Sequence, residues 1–178
     1  GYWYYTRFEE GREYPIHARR KGSMEAAEEI LLDVNTLAEG QGFFQIARYE
    51  ISPDNRLMAY FEDTSGRRQY TLKLKNLETG ELLPVEIKGL SASIAWTADS
   101  GSFYYVENDP ETLLTTRVRL HTLGLAEGND RLVYEERDPS FYMGVGKTTS
   151  DKYICISVSS TVSSEMRCTL AAQPGDFE

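Results

Sequence analysis

Residues 52–82 read SPDNRLMAYFEDTSGRRQYTLKLKNLETGEL, and the punctuation of this stretch decides the fold. Ser52, Pro53, Asp54 and Asn55 are turn residues: proline presets one backbone angle, and Asp and Asn side chains bond back to nearby amides. Leu57, Met58, Ala59, Tyr60 and Phe61 form a short apolar and aromatic run, closed by the next turn at residues 63–66. Tyr70, Leu72 and Leu74 then alternate with Thr71, Lys73 and Lys75, the period of a strand with two unlike faces. Thr79 and Gly80 end that strand. The stretch is two β-hairpins in succession.

The unit recurs on both sides. Asp54, Asp99 and Asp151 each sit in a polar turn before an aromatic-rich run, 45 and 52 residues apart. The later runs are residues 103–106 and 153–156, and alternating strands follow at 70–76, 117–123 and 166–170. Upstream, Tyr2, Trp3, Tyr4 and Tyr5, then residues 13–20, form one more pair split by Glu10 and Gly11. Periods of about 40 to 50 residues with four short strands each are the sequence form of β-propeller blades. The expected fold is therefore all-β: one partial β-propeller over residues 1–178, built of four-stranded antiparallel blades, two whole and two incomplete. Strands are expected at 43–51, 57–61, 70–76 and 82–87 in one whole blade, and at 91–97, 102–107, 115–122 and 131–136 in the next. Incomplete blades take 2–6, 13–20 and 28–33 at the start and 141–147, 152–158 and 165–170 at the end, with no outer strand over 171–178. Residues 22–29 are read as a polar loop. A β-sandwich with accidental self-similarity is the competing architecture.

SPDN, LMAYFED and SGRRQYTLKLKNLETGE together resemble a propeller blade of the prolyl oligopeptidase family of serine peptidases. YWYYTRFEEGREYPIHARRKG followed by EEILLDVN resembles the start of the propeller in the oligopeptidase B (protease II) branch, and ASIAWTADSGSFYYV and LVYEERDPSFYMGVGKTTSDKYI resemble blades that follow it. The resemblance covers nearly all of the chain and only part of the family's length. It implies a peptidase cleaving short peptides after Lys or Arg, with Ser, Asp and His in an α/β-hydrolase domain that lies outside this chain. The propeller then gates that domain against folded proteins. The implied partners are oligopeptide substrates and the hydrolase domain.

Composition restricts the alternatives. In 178 residues, 40% are hydrophobic and 12% aromatic, enough for a sizeable sheet-rich core. A net charge of −9 opposes nucleic-acid binding, which needs a basic patch. No apolar run has membrane-span length and no signal peptide is visible, so a membrane partner is not expected and the location is read as cytoplasmic. Two cysteines make no disulfide scaffold. Cys155 and Cys168 are expected opposite one another across a hairpin turning near Thr161 and Val162, as free thiols.

No residue is assigned a catalytic, cofactor-binding or metal role. Gly144, Gly146, Lys147 and Thr148 carry the tail of a phosphate-binding loop, but Phe141 stands where its first glycine is required and a strand follows instead of a helix. No Gly-x-Ser-x-Gly elbow occurs. The two histidines, His17 and His121, lie on alternating strands and read as a polar strand face; two isolated histidines do not make a zinc site. Arg19, Arg20 and Lys21, and Arg67 and Arg68, read as solvated cations. The pairs Glu9–Glu10, Glu28–Glu29 and Glu135–Glu136 read as edge charges that oppose strand-to-strand aggregation, and Trp96 reads as core. Gly1 leads at once into a strand with no starting Met, so the chain is expected to begin inside a blade. Both terminal blades then lack a covering neighbour. Tyr2, Trp3, Tyr4 and Tyr5, with Ile154, Ile156, Val158 and Met166, are expected to be partly wet and to drive self-association. A different class of function is a non-catalytic propeller or sandwich module that binds a protein or peptide.

Overall fold

The computed structural model describes residues 1–178. β1 (Tyr2–Arg7), β2 (Ile16–Lys21) and β3 (Glu28–Asp33) form a first antiparallel sheet, followed by the single-turn helix α1 (Val34–Leu37). A seven-stranded sheet follows, of β4 (Gln45–Ile51), β5 (Leu57–Asp63), β6 (Tyr70–Asn76), β7 (Leu82–Trp96), β8 (Ser102–Asn108), β9 (Thr115–Thr122) and β10 (Arg131–Glu135), each paired with the next. β11 (Tyr142–Lys147), β12 (Tyr153–Ser159) and β13 (Ser164–Leu170) close the series. All the pairings are antiparallel.

The long sheet is two blades joined through one strand. The first part of β7 pairs with β6 (Lys75 with Leu82, Leu72 with Ile87) and the second part with β8 (Ile94 with Tyr105, Trp96 with Phe103). Between them Gly89 adopts φ +71°, a backbone that L side chains resist, and the register shifts. The outer strand of one blade thus runs without a break into the inner strand of the next. The second blade is β4, β5, β6 and the start of β7; the third is the end of β7, β8, β9 and β10. Incomplete blades flank them, in a partial propeller and not a sandwich. Two local features depart from expectation. α1 arises because the Asp33 carboxylate accepts the Asn35 amide at 3.0 Å. At the other end, Glu178 and Cys168 exchange two backbone hydrogen bonds (2.8 and 3.1 Å), so a fourth pairing begins where none was expected.

Three turns repeat almost atom for atom. Ser52, Thr97 and Thr148 each take a backbone bond from the residue three further on and a side-chain bond from the amide five further on. Asn55, Ser100 and Asp151 carry φ of 63°, 60° and 58°. Asp151 therefore corresponds to Asn55 and Ser100, and its alignment with Asp54 and Asp99 is off by one residue. In this last turn Ser150 takes the place of the aspartate, with its hydroxyl 3.1 Å from that of Thr148.

The core lies between blades. Met58 and Tyr60 of β5 pack with Leu31 and Leu32 of the first blade, while Ala59 and Phe61 face the third blade in a cluster with Ile94, Trp96, Phe103 and Tyr105. β8 repeats the division: Phe103 and Tyr105 face back, and Tyr104 and Val106 face forward onto Val145, Ile154, Ile156 and Val158. The expectation that Ile154, Ile156 and Val158 are wet is therefore wrong. They point at the third blade and are 0–2% exposed. The free face of the fourth blade instead carries Tyr142, Ser157 and the exposed Met166. At the other end Tyr4 packs inward, Trp3 is exposed, and Tyr5 donates to Glu28 at 2.6 Å.

The expected free thiols are also corrected. Cys155 and Cys168 do face each other across the hairpin, and they are bonded as a disulfide with Cα atoms 4.1 Å apart. Cys168 spends both backbone groups on Glu178, so toward β12 it sits in a non-hydrogen-bonded pair, where opposed strands come closest. Of the basic run, Arg19 is not solvated: it is 3% exposed, donates to Glu29 (2.7 Å) and to the Asn55 carbonyl (2.7 Å), and covers the Tyr2 ring. Lys75 likewise donates to the Leu31 carbonyl at 2.8 Å, and burial lowers its pKa. These two cations tie the first blade to the second. The glutamate pairs are mostly engaged. Hydrogen bonds from Arg7 and then Tyr5 hold the Glu28 carboxyl at about 2, and Glu135 binds Arg117 and Arg137.

Phe61 is fully buried between the second and third blades. Phe61→Ala is expected to cost about 3–5 kcal/mol of unfolding free energy, whereas Val162→Ala, at a 92% exposed turn position, should change it by less than about 0.5 kcal/mol. Urea titration of the two variants measures both.

Candidate functional site

The inner strand of each blade is its first: β4, the end of β7, and β11. They come together at a cavity of about 380 Å³ whose polar lining is Arg48 and Glu50 from β4 and Lys147, Thr148 and Asp151 from β11 and its turn. Pro53, Ala98 and Trp96 supply apolar wall. Arg48 and Glu50 point the same way, two residues apart, and pair at 3.1 Å.

Small residues explain why the cavity opens beside β4. Ser93 Oγ accepts the Val145 amide (2.8 Å) and donates to the Val145 carbonyl (2.9 Å), acting as a clasp between β7 and β11. A Cβ on Gly144 would meet Ser93 Oγ at 3.6 Å, an ordinary contact, and Ser157 Oγ of the same blade at a tight 3.3 Å, so a small residue suits this approach. On the β4 side the equivalent positions hold Arg48 and Glu50, and the strands stay apart.

The histidines serve structure. His121 is buried, contrary to the polar-face reading. Its Nδ1–H donates to Asp130 Oδ1 at 2.8 Å, Tyr105 donates to Asp130 Oδ2 at 2.9 Å, and Phe103 lies 5.0 Å from the imidazole. Burial, then the Asp130 carboxylate, raises the Tyr105 pKa. His121 Nε2 has no hydrogen-bond partner, so no hydroxyl nucleophile is poised on it. His17 is half-buried, with Nδ1 3.0 Å from Thr6 Oγ1 and its ring 4.9 Å from Tyr49; burial lowers its pKa, and no carboxylate orients it. The partnership of His121 with Asp130 was hidden because nine residues and a strand turn separate them.

Gly144, Gly146 and Lys147 lie within β11, and β12 follows, so the partial phosphate-loop motif sits on a strand. Trp96 is core, 1% exposed, with one edge on the cavity. No group of three or more His, Cys, Asp or Glu side chains is arranged to hold a metal, and no helix is long and apolar enough to cross a membrane.

Removing the acceptor of the buried pair should be costly. Asp130→Ala leaves the His121 and Tyr105 donors unsatisfied and is expected to lower stability by about 2–4 kcal/mol. Thermal unfolding of Asp130→Ala beside Asp130→Asn, which retains one acceptor, tests this.

Comparison with known proteins follows the same architecture. Residues 1–178 match the family described as prolyl oligopeptidase, N-terminal beta-propeller domain. Dipeptidyl aminopeptidase BI of Pseudoxanthomonas mexicana is 53% identical over 99% of this chain and 27% of its own length. Protease 2 of Moraxella lacunata is 31% identical over 93% of this chain and 25% of its own. The structure of oligopeptidase B from Leishmania major superposes with a TM-score of 0.91 at 29% identity, over 99% of this chain and 26% of that one. The chain thus spans about a quarter of the length of these relatives.

Proposed function

This chain belongs to the prolyl oligopeptidase N-terminal β-propeller family, and from that membership we propose that it is part of the cover over the active site of a serine peptidase acting on short peptides. Its role is access: it contributes no bond-breaking residue, and its partner is a hydrolase domain of the same protein. The observation that carries this reading is the arrangement of consecutive blades around a polar cavity of about 380 Å³, space for an extended peptide segment and not for a folded protein.

Two readings of bond choice have support. Cleavage after Lys or Arg, expected from the sequence, is supported by the likeness to Protease 2 and to oligopeptidase B. Release of dipeptides from a free N-terminus is favoured by the 53% identity to Dipeptidyl aminopeptidase BI. A cytoplasmic location belongs to the proposal, although the Cys155–Cys168 bond opposes it, since cytosolic thiols are kept reduced. The isolated chain is also proposed to self-associate through its free faces, with Trp3 and Ile30 at one end and Tyr142, Tyr153 and Met166 at the other.

The full-length peptidase, assayed on fluorogenic peptides with free and acetylated N-termini, separates the two readings. Internal cleavage after Lys or Arg with either terminus supports the endopeptidase; turnover only of free-ended peptides, two residues from the N-terminus, supports the dipeptidyl aminopeptidase. Turnover by residues 1–178 alone would defeat the covering role. Light scattering of the chain over a roughly hundredfold concentration range should show a dimer or larger species; a strict monomer contradicts association.

A further inference from the structure

We propose that the axial cavity is a charge-balanced stretch of the peptide path, in which Arg48 and Lys147 against Glu50 and Asp151 set which distal charges a short peptide can carry through. This rests on the covering role proposed above and adds to it the residues that filter.

The argument comes from the repeats. Counting from the matching turn hydroxyls of Ser52, Thr97 and Thr148, the position of Arg48 is occupied by Ser93 and Gly144 in the sister blades. Glu50 corresponds to Ala95 and Gly146, Lys147 to Ile51 and Trp96, and Asp151 to Asn55 and Ser100. At each of the four positions the other two blades hold a small, apolar or uncharged residue, so the inner strand and its turn do not need a charge there. The four exceptions come from two blades and line the same cavity. Requirements of the fold would have placed them independently.

Their setting suits recognition of a passing group. Arg48 and Glu50 are 44% and 41% exposed in their side chains, so the ion pair between them is weak enough for an incoming charge to compete. Asp151 is fixed by its turn, its amide donating to the Thr148 carbonyl at 2.9 Å with φ at +58°. A cleft with apolar walls such as Pro53 and Trp96 focuses the field of such groups on whatever enters. Two charges of each sign hold the preference in balance, so each like-charged pair offsets the other's selection and removing one tips it toward the distal charge that the remaining pair attracts.

The test uses the full-length peptidase and matched peptides that share the scissile residues and differ only in a distal Asp or Lys. Arg48→Gln with Lys147→Gln is expected to raise kcat/KM for the Lys peptide relative to the Asp peptide by about three- to tenfold. Glu50→Gln with Asp151→Asn is expected to shift the ratio the opposite way, and about 1 M salt should erase both shifts. Asparagine is chosen because it tolerates the left-handed backbone. Ala98→Trp, at an exposed position on the cavity wall, should slow all peptides by narrowing the space. Circular dichroism and melting curves confirm that each variant is folded. If Ala98→Trp slows every peptide and neither charge variant moves the ratio, the filter is refuted and the covering role stands. If none of the three variants has any effect, peptides take another route and the filter and the path both fail.

Discussion

Each blade of this protein depends on the blades beside it for its dry faces. A four-stranded sheet alone buries little, but its second strand, flanked by neighbours, is covered on both sides. That condition requires apolar residues at both parities, which is why Leu57–Asp63 and Ser102–Asn108 run Met-Ala-Tyr-Phe and Phe-Tyr-Tyr-Val where a surface strand would alternate. The division of Met58 and Tyr60 from Ala59 and Phe61 between two clusters is the direct result. The fourth blade turns Ile154, Ile156 and Val158 toward the third and carries Tyr142, Tyr153 and Met166 among serines, glycines and a disulfide on its other side.

Polar contacts then set how the blades meet. Arg19 and Lys75 cap carbonyls across the first interface, the Asp54 amide donates to Ser100 Oγ at 3.1 Å across the second, and Ser93 clasps Val145 across the third. Each joins a group on one blade to a backbone group on another and so fixes how neighbouring blades sit, the Ser93 clasp doing so between two inner strands. The cavity follows from that placement: small residues bring β7 and β11 together, and the long side chains of β4 stay in the gap.

Strands and turns were legible because their causes are local. Period-two alternation, Ser-Pro-Asp-Asn and Thr-Ala-Asp-Ser can be read within a few residues, and so could the blade count. What was missed depends on partners far along the chain or on the opposite strand. His121 looked like a polar-face residue because Tyr105 comes from the neighbouring strand and Asp130 from the connection that follows β9. Arg19 looked solvated because its acceptor, the Asn55 carbonyl, lies 36 residues away. The facing of the cysteines follows from the hairpin register and the bond does not, since register alone leaves open whether two opposed thiols are oxidised. Of the four charged residues of the cavity, Lys147 stood out only as the tail of a partial phosphate-loop motif and Asp151 only as a turn residue, Arg48 and Glu50 carried no local signal, and only their convergence sets them apart.

Hydrogen exchange of the backbone amides tests the central claim, that interblade burial holds the structure. If it does, the amides of Leu57–Asp63 and Ser102–Asn108, covered on both faces, exchange most slowly, and those of Tyr2–Arg7, at an uncovered edge, exchange markedly faster. Equal protection in all three strands, or slowest exchange in Tyr2–Arg7, would contradict the account.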